Sequence, residues 1–188
     1  NEKQTYAYLD QKDTRLFYKL YFSILDYVNT LEKIIPNKKI DPNNYIEPDE
    51  LVNLIEVFWN EKDRFIDEYI QKNPLNLTHR NLNVIKDFKY GMRKNFLLAV
   101  YEKNYTVLND EGINYMVKGL NENLDQFIPA EKTPMLIQTA IMPFNGIIIY
   151  DGFISMANMQ LSQELVSKAF EDYSYGQKIY SLLPKKMN

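Results

Sequence analysis

Apolar residues recur at three- and four-residue spacing from Leu16 through Phe17, Leu20, Tyr21, Ile24, Val28 and Leu31 to Ile35, which predicts a helix over residues 14–35. With Tyr18, Phe22, Leu25 and Tyr27 included, the apolar arc spans roughly 240° at about 100° per residue, wider than the stripe of an ordinary surface helix. Only a narrow polar strip remains, carrying Arg15, Lys19, Ser23, Asp26, Thr30 and Lys33. Such a helix belongs in the middle of a core, with a homodimer interface as the alternative. After a polar loop over 37–44, Pro48 opens a second helix burying Leu51, Val52, Ile55, Phe58 and Trp59. Asn60 is placed to cap a third helix with Phe65, Ile66, Tyr69 and Ile70 inward, stopped by Asn73-Pro74. Thr78 caps a fourth, with Leu77 able to staple onto Leu82, followed by Ile85 and Phe88.

Past Gly91 the period shortens. Residues 96–101 and 105–108 are rich in aromatic and branched side chains and flank Glu102-Lys103-Asn104, as a hairpin requires. Ile113, Tyr115 and Val117 alternate with Asn114, Met116 and Lys118, the pattern of a strand with one covered face. Residues 123–127 form one helical turn before Pro129. Strands follow at 135–142, 147–150 and 153–155, punctuated by Asn145-Gly146 and Asp151-Gly152, both suited to two-residue hairpins. A last helix over 160–174 should bury Leu161, Leu165, Ala169 and Phe170. The expectation is an α+β protein. It has an N-terminal helical layer of about four helices over 1–91, then an antiparallel β-meander of about six strands and a C-terminal helix over 92–188, folding as one cooperative unit.

Composition narrows the function classes. Hydrophobic residues at 45% and charged residues at 25% are ordinary for a globular chain, and no apolar run approaches the roughly 20 residues of a membrane helix. Residues 1–90 carry 13 basic and 15 acidic side chains and residues 91–188 carry 9 and 10, so neither half is basic and nucleic-acid binding is not favoured. The chain has no cysteine, which removes disulfides, thiolate metal sites and cysteine nucleophiles. The first residue is Asn1, as in a trimmed chain or one whose signal peptide is gone; a cytoplasmic location is expected.

Four segments together carry a resemblance: Asn73-Pro74-Leu75-Asn76-Leu77-Thr78, residues 85–89, residues 103–108 and residues 142–152. Over roughly residues 15–170 the chain resembles a family of uncharacterised bacterial proteins, mostly from Firmicutes, some of which carry a C-terminal SEC-C zinc motif. The absence of cysteine means this chain lacks that motif, and the resemblance carries over no catalytic residue.

Candidate chemistry is sparse. His79 is the lone histidine and sits in a predicted first helical turn, where an exposed helix-start residue is preferred over a general base. Glu56, Glu61, Asp63, Asp67 and Glu68 place oxygens within reach of a hard cation, but Lys62 and Arg64 among them favour a salt-bridged surface. Asp151 beside Tyr150 suits acid–base chemistry in a pocket; a tight turn is the simpler role. Tyr6, Tyr8, Tyr18, Tyr101, Tyr105, Tyr115, Tyr173, Tyr175 and Tyr180 allow an exposed recognition patch. No catalytic residue, cofactor or metal is assigned. The expectation is a non-enzymatic binding or protein-interaction module with a homodimer or protein partner, no membrane association and no small-molecule ligand assigned. The alternatives are a hydrolase-type or metal-dependent enzyme using the acidic residues and, less favoured, a nucleic-acid-associated accessory protein.

Overall fold

The computed structural model describes residues 6–156 and 161–185. Residues 12–92 form one compact unit, and residues 1–11 join 93–188 in a second. The helical unit contains α1 (Gln11–Glu32), α2 (Pro48–Asn60), α3 (Lys62–Lys72) and α4 (His79–Asp87), followed by a 3-10 turn at Phe88–Tyr90. The expected four helices are all present. Thr78 caps α4 by accepting from the Asn81 amide, and Asn73 ends α3 in the left-handed conformation. Asn60 does not cap α3. It remains the last residue of α2, and Glu61 occupies the cap position with its carboxylate turned to Arg64 instead of the backbone.

The wide apolar arc of α1 is core. Phe17, Leu20, Tyr21, Ile24, Leu25 and Val28 have no exposed surface, while Leu31 at its end is 40% exposed. Tyr21 is the hub of an aromatic cluster, with ring centroids 5.2 Å from Phe17, 6.2 Å from Phe58 and 6.1 Å from Phe88. Its hydroxyl accepts from Trp59 Nε1 at 3.0 Å, so the one polar atom of the cluster is satisfied.

The second unit holds a mixed sheet of eight strands among the described residues, together with α5 (Gln163–Tyr175). Its strands are β1 (Tyr8–Leu9), β2 (Met92–Tyr101), β3 (Thr106–Asp110), β4 (Ile113–Leu120), β5 (Met135–Phe144), β6 (Ile147–Tyr150), β7 (Ser155–Met156) and β8 (Gln177–Ile179). The α+β class with a C-terminal helix is as expected, but the meander order is not. The runs β2-β3-β4 and β5-β6 are each consecutive and antiparallel, but β5 returns beside β2 instead of β4, and β6 also pairs, in parallel, with β4. The five strands β2-β3-β4-β6-β5 therefore close a ring, in which the neighbours β4 and β6 are parallel. That arrangement corresponds to the five-stranded Greek-key barrel of OB folds. Alternation along a strand reveals which faces are buried but not which strand lies beside it, so the crossover after β4 left no mark in the periodicity.

Two further differences have local causes. The strand β4, expected to have one covered face, is buried on both from Asn114 to Leu120. Its own Met116 and the neighbouring Ala99 and Val107 pack against Tyr173 of α5, and its free edge takes β8, β6 and β1 in succession, all parallel. Conversely, α5 buries only Ala169, whereas Leu165 and Phe170 are 45% and 51% exposed. The thirteen-residue helix rests on the barrel by a narrow strip rather than a broad stripe.

Asn145-Gly146 forms the expected hairpin: Phe144 pairs with Ile147, and both turn residues have positive φ, 50° and 82°. Asp151-Gly152 does not. Both β6 and β7 pair with β5, so residues 151–154 bulge opposite residues 139–140 within one interrupted edge. Gly152 supplies the positive φ of 91° that the bulge needs. A tighter constraint lies at Gly119, where β1 docks through Gly119 N to Ala7 O at 2.8 Å. An added Cβ there would lie 2.3 Å from the Glu122 carbonyl oxygen. Gly119→Ala is expected to lose about 1–3 kcal/mol by this backbone clash, read from urea unfolding midpoints at unchanged slope.

Candidate ligand-binding cleft

The polar strip of α1 does not face open solvent along its whole length. The loop after α1 folds back beside it, because Asn29 and Asp26 hold its backbone. Buried Asn29 accepts from Ile35 N at 2.7 Å and donates from Nδ2 to Ile35 O at 2.9 Å, while Asp26 Oδ1 accepts from Ile40 N at 2.8 Å. Between the helix and this loop lies a cleft of about 470 Å³, a size suited to a small ligand.

Arg15 and Lys19 line the cleft from successive turns of α1, and Lys39 lines it from the loop. The rings of Tyr18 and Phe22, with centroids 5.8 Å apart and edge-to-face, supply aromatic wall. Ile40, Pro42 and Leu75 add aliphatic surface. Two acids are also present, but each already has a backbone partner: Asp26 holds Ile40 N, and Asp41 Oδ1 accepts from Asn43 N at 2.8 Å. The three cations have no such engagement. Among the described residues, Arg15, Lys19 and Lys39 form no ion pair, although other surface cations such as Arg64, Lys89 and Lys94 do. Three basic groups against two acidic ones leave the lining at +1, in a chain of net charge -3.

Behind the cleft Ser23, on the same strip, is hydrogen-bonded to the hydroxyl of buried Tyr69. Burial pushes the Tyr69 phenol above its ordinary range, which the Ser23 bond counters and the Asp26 charge reinforces. Burial also raises Tyr101 in the barrel, whose hydroxyl donates to Ile128 O at 2.7 Å. A phenol whose pKa is raised by folding contributes stability that is complete below its unfolded value of about 10 and lost as pH rises beyond it. Stability should therefore fall progressively above about pH 10, with the tyrosinate absorbance of these two phenols developing only as the protein unfolds.

The other candidate residues are scattered. His79 is exposed at the start of α4, as expected. Of the acidic cluster, Glu61 and Glu68 join Glu32 around Arg64 at 3.0, 3.8 and 3.3 Å, and Asp67 bonds Lys89. Among the described residues no group of three or more histidine or acidic side chains is placed to hold a metal ion. Asp151 is fully buried, its Oδ1 accepting from Phe153 N at 3.0 Å and Thr139 Oγ1 at 3.3 Å, and so braces the bulge. Tyrosines gather at one place in the barrel unit. Lys118 lies 4.5 Å from the Tyr105 ring and donates to Tyr6 O and, at 3.3 Å, Asn104 O; Tyr180 packs on Tyr105 at 5.2 Å. Burial lowers the Lys118 pKa. Tyr6 and Tyr180 are about half exposed there, whereas Tyr101 and Tyr115 are turned inward.

The cleft was missed from sequence because its parts were read separately. The α1 strip and the polar 37–44 loop were both visible; the Asn29 and Asp26 contacts that bring them together were not. Known protein families, curated proteins and solved structures were compared with this chain, and none matches. No helix among the described residues is long and apolar enough to cross a membrane.

Proposed function

We propose that the protein is a non-enzymatic binding module whose ligand seat is the α1 cleft. The observation that carries this reading is the set of three basic side chains, each without an ion-pair partner, around a preformed and partly aromatic concavity. Charged groups on a surface ordinarily pair or point into water, whereas these line one space whose loop wall is held by buried Asn29 and half-buried Asp26. Conversely, the groups weighed for catalysis, His79, Asp151 and the 56–68 carboxylates, do not line it and have structural engagements of their own or an open surface. The outer face of β3 and β4, which OB-type barrels use for oligomer binding, lies under Tyr173 of α5, and this favours a small-molecule ligand over an oligonucleotide. The segments on which the resemblance to uncharacterised bacterial proteins is read fall on the α3 stop and α4 cap, the end of α4, the β2–β3 hairpin and the β5–β6 hairpin, and none of them lends the cleft a catalytic group.

A panel of neutral, cationic and anionic ring fragments tests the reading by ligand-observed NMR on the whole chain. Binding is expected that is lost in Asn43→Trp, which adds bulk at the exposed rim, with the fragment recovered chemically unchanged. Turnover of a fragment, or binding indifferent to the rim substitution, would contradict it.

A further inference from the structure

The chemistry of the cleft specifies more than that something binds. We infer that its ligand is a compact aromatic phosphate, with the phosphoryl group held by Arg15, Lys19 and Lys39 and the ring laid against Tyr18 and Phe22. This rests on the binding reading above.

Arg15 and Lys19 are four residues apart, so both extend from one face of α1 with their side chains toward the same volume. Lys39 approaches from the other wall, its position fixed by the Asp26–Ile40 hydrogen bond one residue away. A single carboxylate satisfies one guanidinium and little else. A phosphomonoester carries close to two negative charges and three acceptor oxygens, enough to engage a guanidinium fork and two ammonium groups together. The aromatic wall sets the rest of the ligand. Tyr18 and Phe22 offer ring surface next to the cations, and apolar Ile40 and Leu75 extend it, so a bare phosphate ion would leave most of the cleft wet. Asp26 and Asp41 each have one oxygen committed to a backbone amide, which leaves the other to receive an N–H of a polar ring. A nucleoside monophosphate combines all three features, and a simple aryl phosphate combines two.

Isothermal titration of the full chain with four probes separates the possibilities: phenyl phosphate, adenosine monophosphate, adenosine and inorganic phosphate. Both phosphorylated ring compounds are expected to bind, with adenosine and inorganic phosphate each weaker by roughly tenfold or more. Arg15→Gln and Lys19→Gln should each weaken phenyl phosphate by roughly tenfold without changing the unfolding midpoint, since both residues are exposed and lack ion pairs. Added salt should weaken the interaction further. Equal binding of adenosine and its monophosphate, or affinity unchanged in both variants, would overturn the phosphate assignment. Neutral or cationic fragments that nonetheless bind in an Asn43-dependent way would leave the binding module standing and remove only its anionic ligand. Failure of every probe and every fragment would remove both.

Discussion

Replacing Phe58 by alanine should lower the stability of the helical unit by about 3–5 kcal/mol, a large share of the roughly 5–15 kcal/mol that holds an ordinary domain together. Phe58 is fully buried on α2, and its ring meets the Tyr21 ring of α1 edge-to-face. Tyr21 in turn contacts Phe17 and Phe88, so the lost ring leaves a void directly against the hub of the network. The surrounding rings are large and flat and cannot collapse into the space without leaving their rotamers. Trp59 also depends on this geometry, because its indole N–H donates to the Tyr21 hydroxyl. Leu31→Ala, at a position 40% exposed near the end of α1, serves as the comparison and should cost less than about 1 kcal/mol. Chemical unfolding followed by Trp59 fluorescence checks both. Similar losses for the two would show that the aromatic cluster is not the keystone of α1.

Asn29→Ala carries the second large effect, about 2–4 kcal/mol, through polar rather than apolar groups. One buried amide satisfies both the N–H and the C=O of Ile35, itself 2% exposed. Alanine leaves two backbone groups without partners in a place that water reaches poorly, and each costs about 1–3 kcal/mol. The damage should not stop at stability. The loop beyond Ile35 carries Lys39, Ile40 and Asp41 into the cleft, so loosening it should raise amide exchange across residues 35–41 and weaken ligand binding together. Hydrogen exchange resolved by residue tests this. Protection across 35–41 equal to that of the unaltered protein would mean that Asp26 alone suffices to set the loop.

Both effects concern features that the sequence announced unequally. The α1 stripe was legible because a helix repeats its buried face every three to four residues, and Phe17 to Val28 kept that rhythm without interruption. Caps and stops were legible where a side chain acts on its own backbone, as Thr78 and Asn73 do. The barrel was half legible. Strand positions followed from alternation and from Asn145-Gly146, but β5 beside β2 and β6 beside β4 are pairings between distant segments that no local pattern encodes. The two-residue β1 and three-residue β8 are too short to show a period at all and exist because the edge of β4 offers them a template. Asp151-Gly152 misled for a related reason. Asp-Gly suits a hairpin and a bulge equally, and the choice was made by β5, long enough to pair with strand on both sides of the interruption. The cleft lies at the far end of this scale. Its basic residues are unremarkable in sequence, and only the folded loop shows that Arg15, Lys19 and Lys39 line one cleft, where the two acids beside them are engaged by backbone amides.

A ligand, on this reading, sits in the α1 cleft and nowhere in the barrel unit. Backbone amide NMR of the full chain, titrated with phenyl phosphate to saturation, reads that place directly. Shifts concentrated at residues 15–26 and 39–43 are the predicted result; shifts concentrated in the barrel over 93–156, or none at saturating probe, would contradict it.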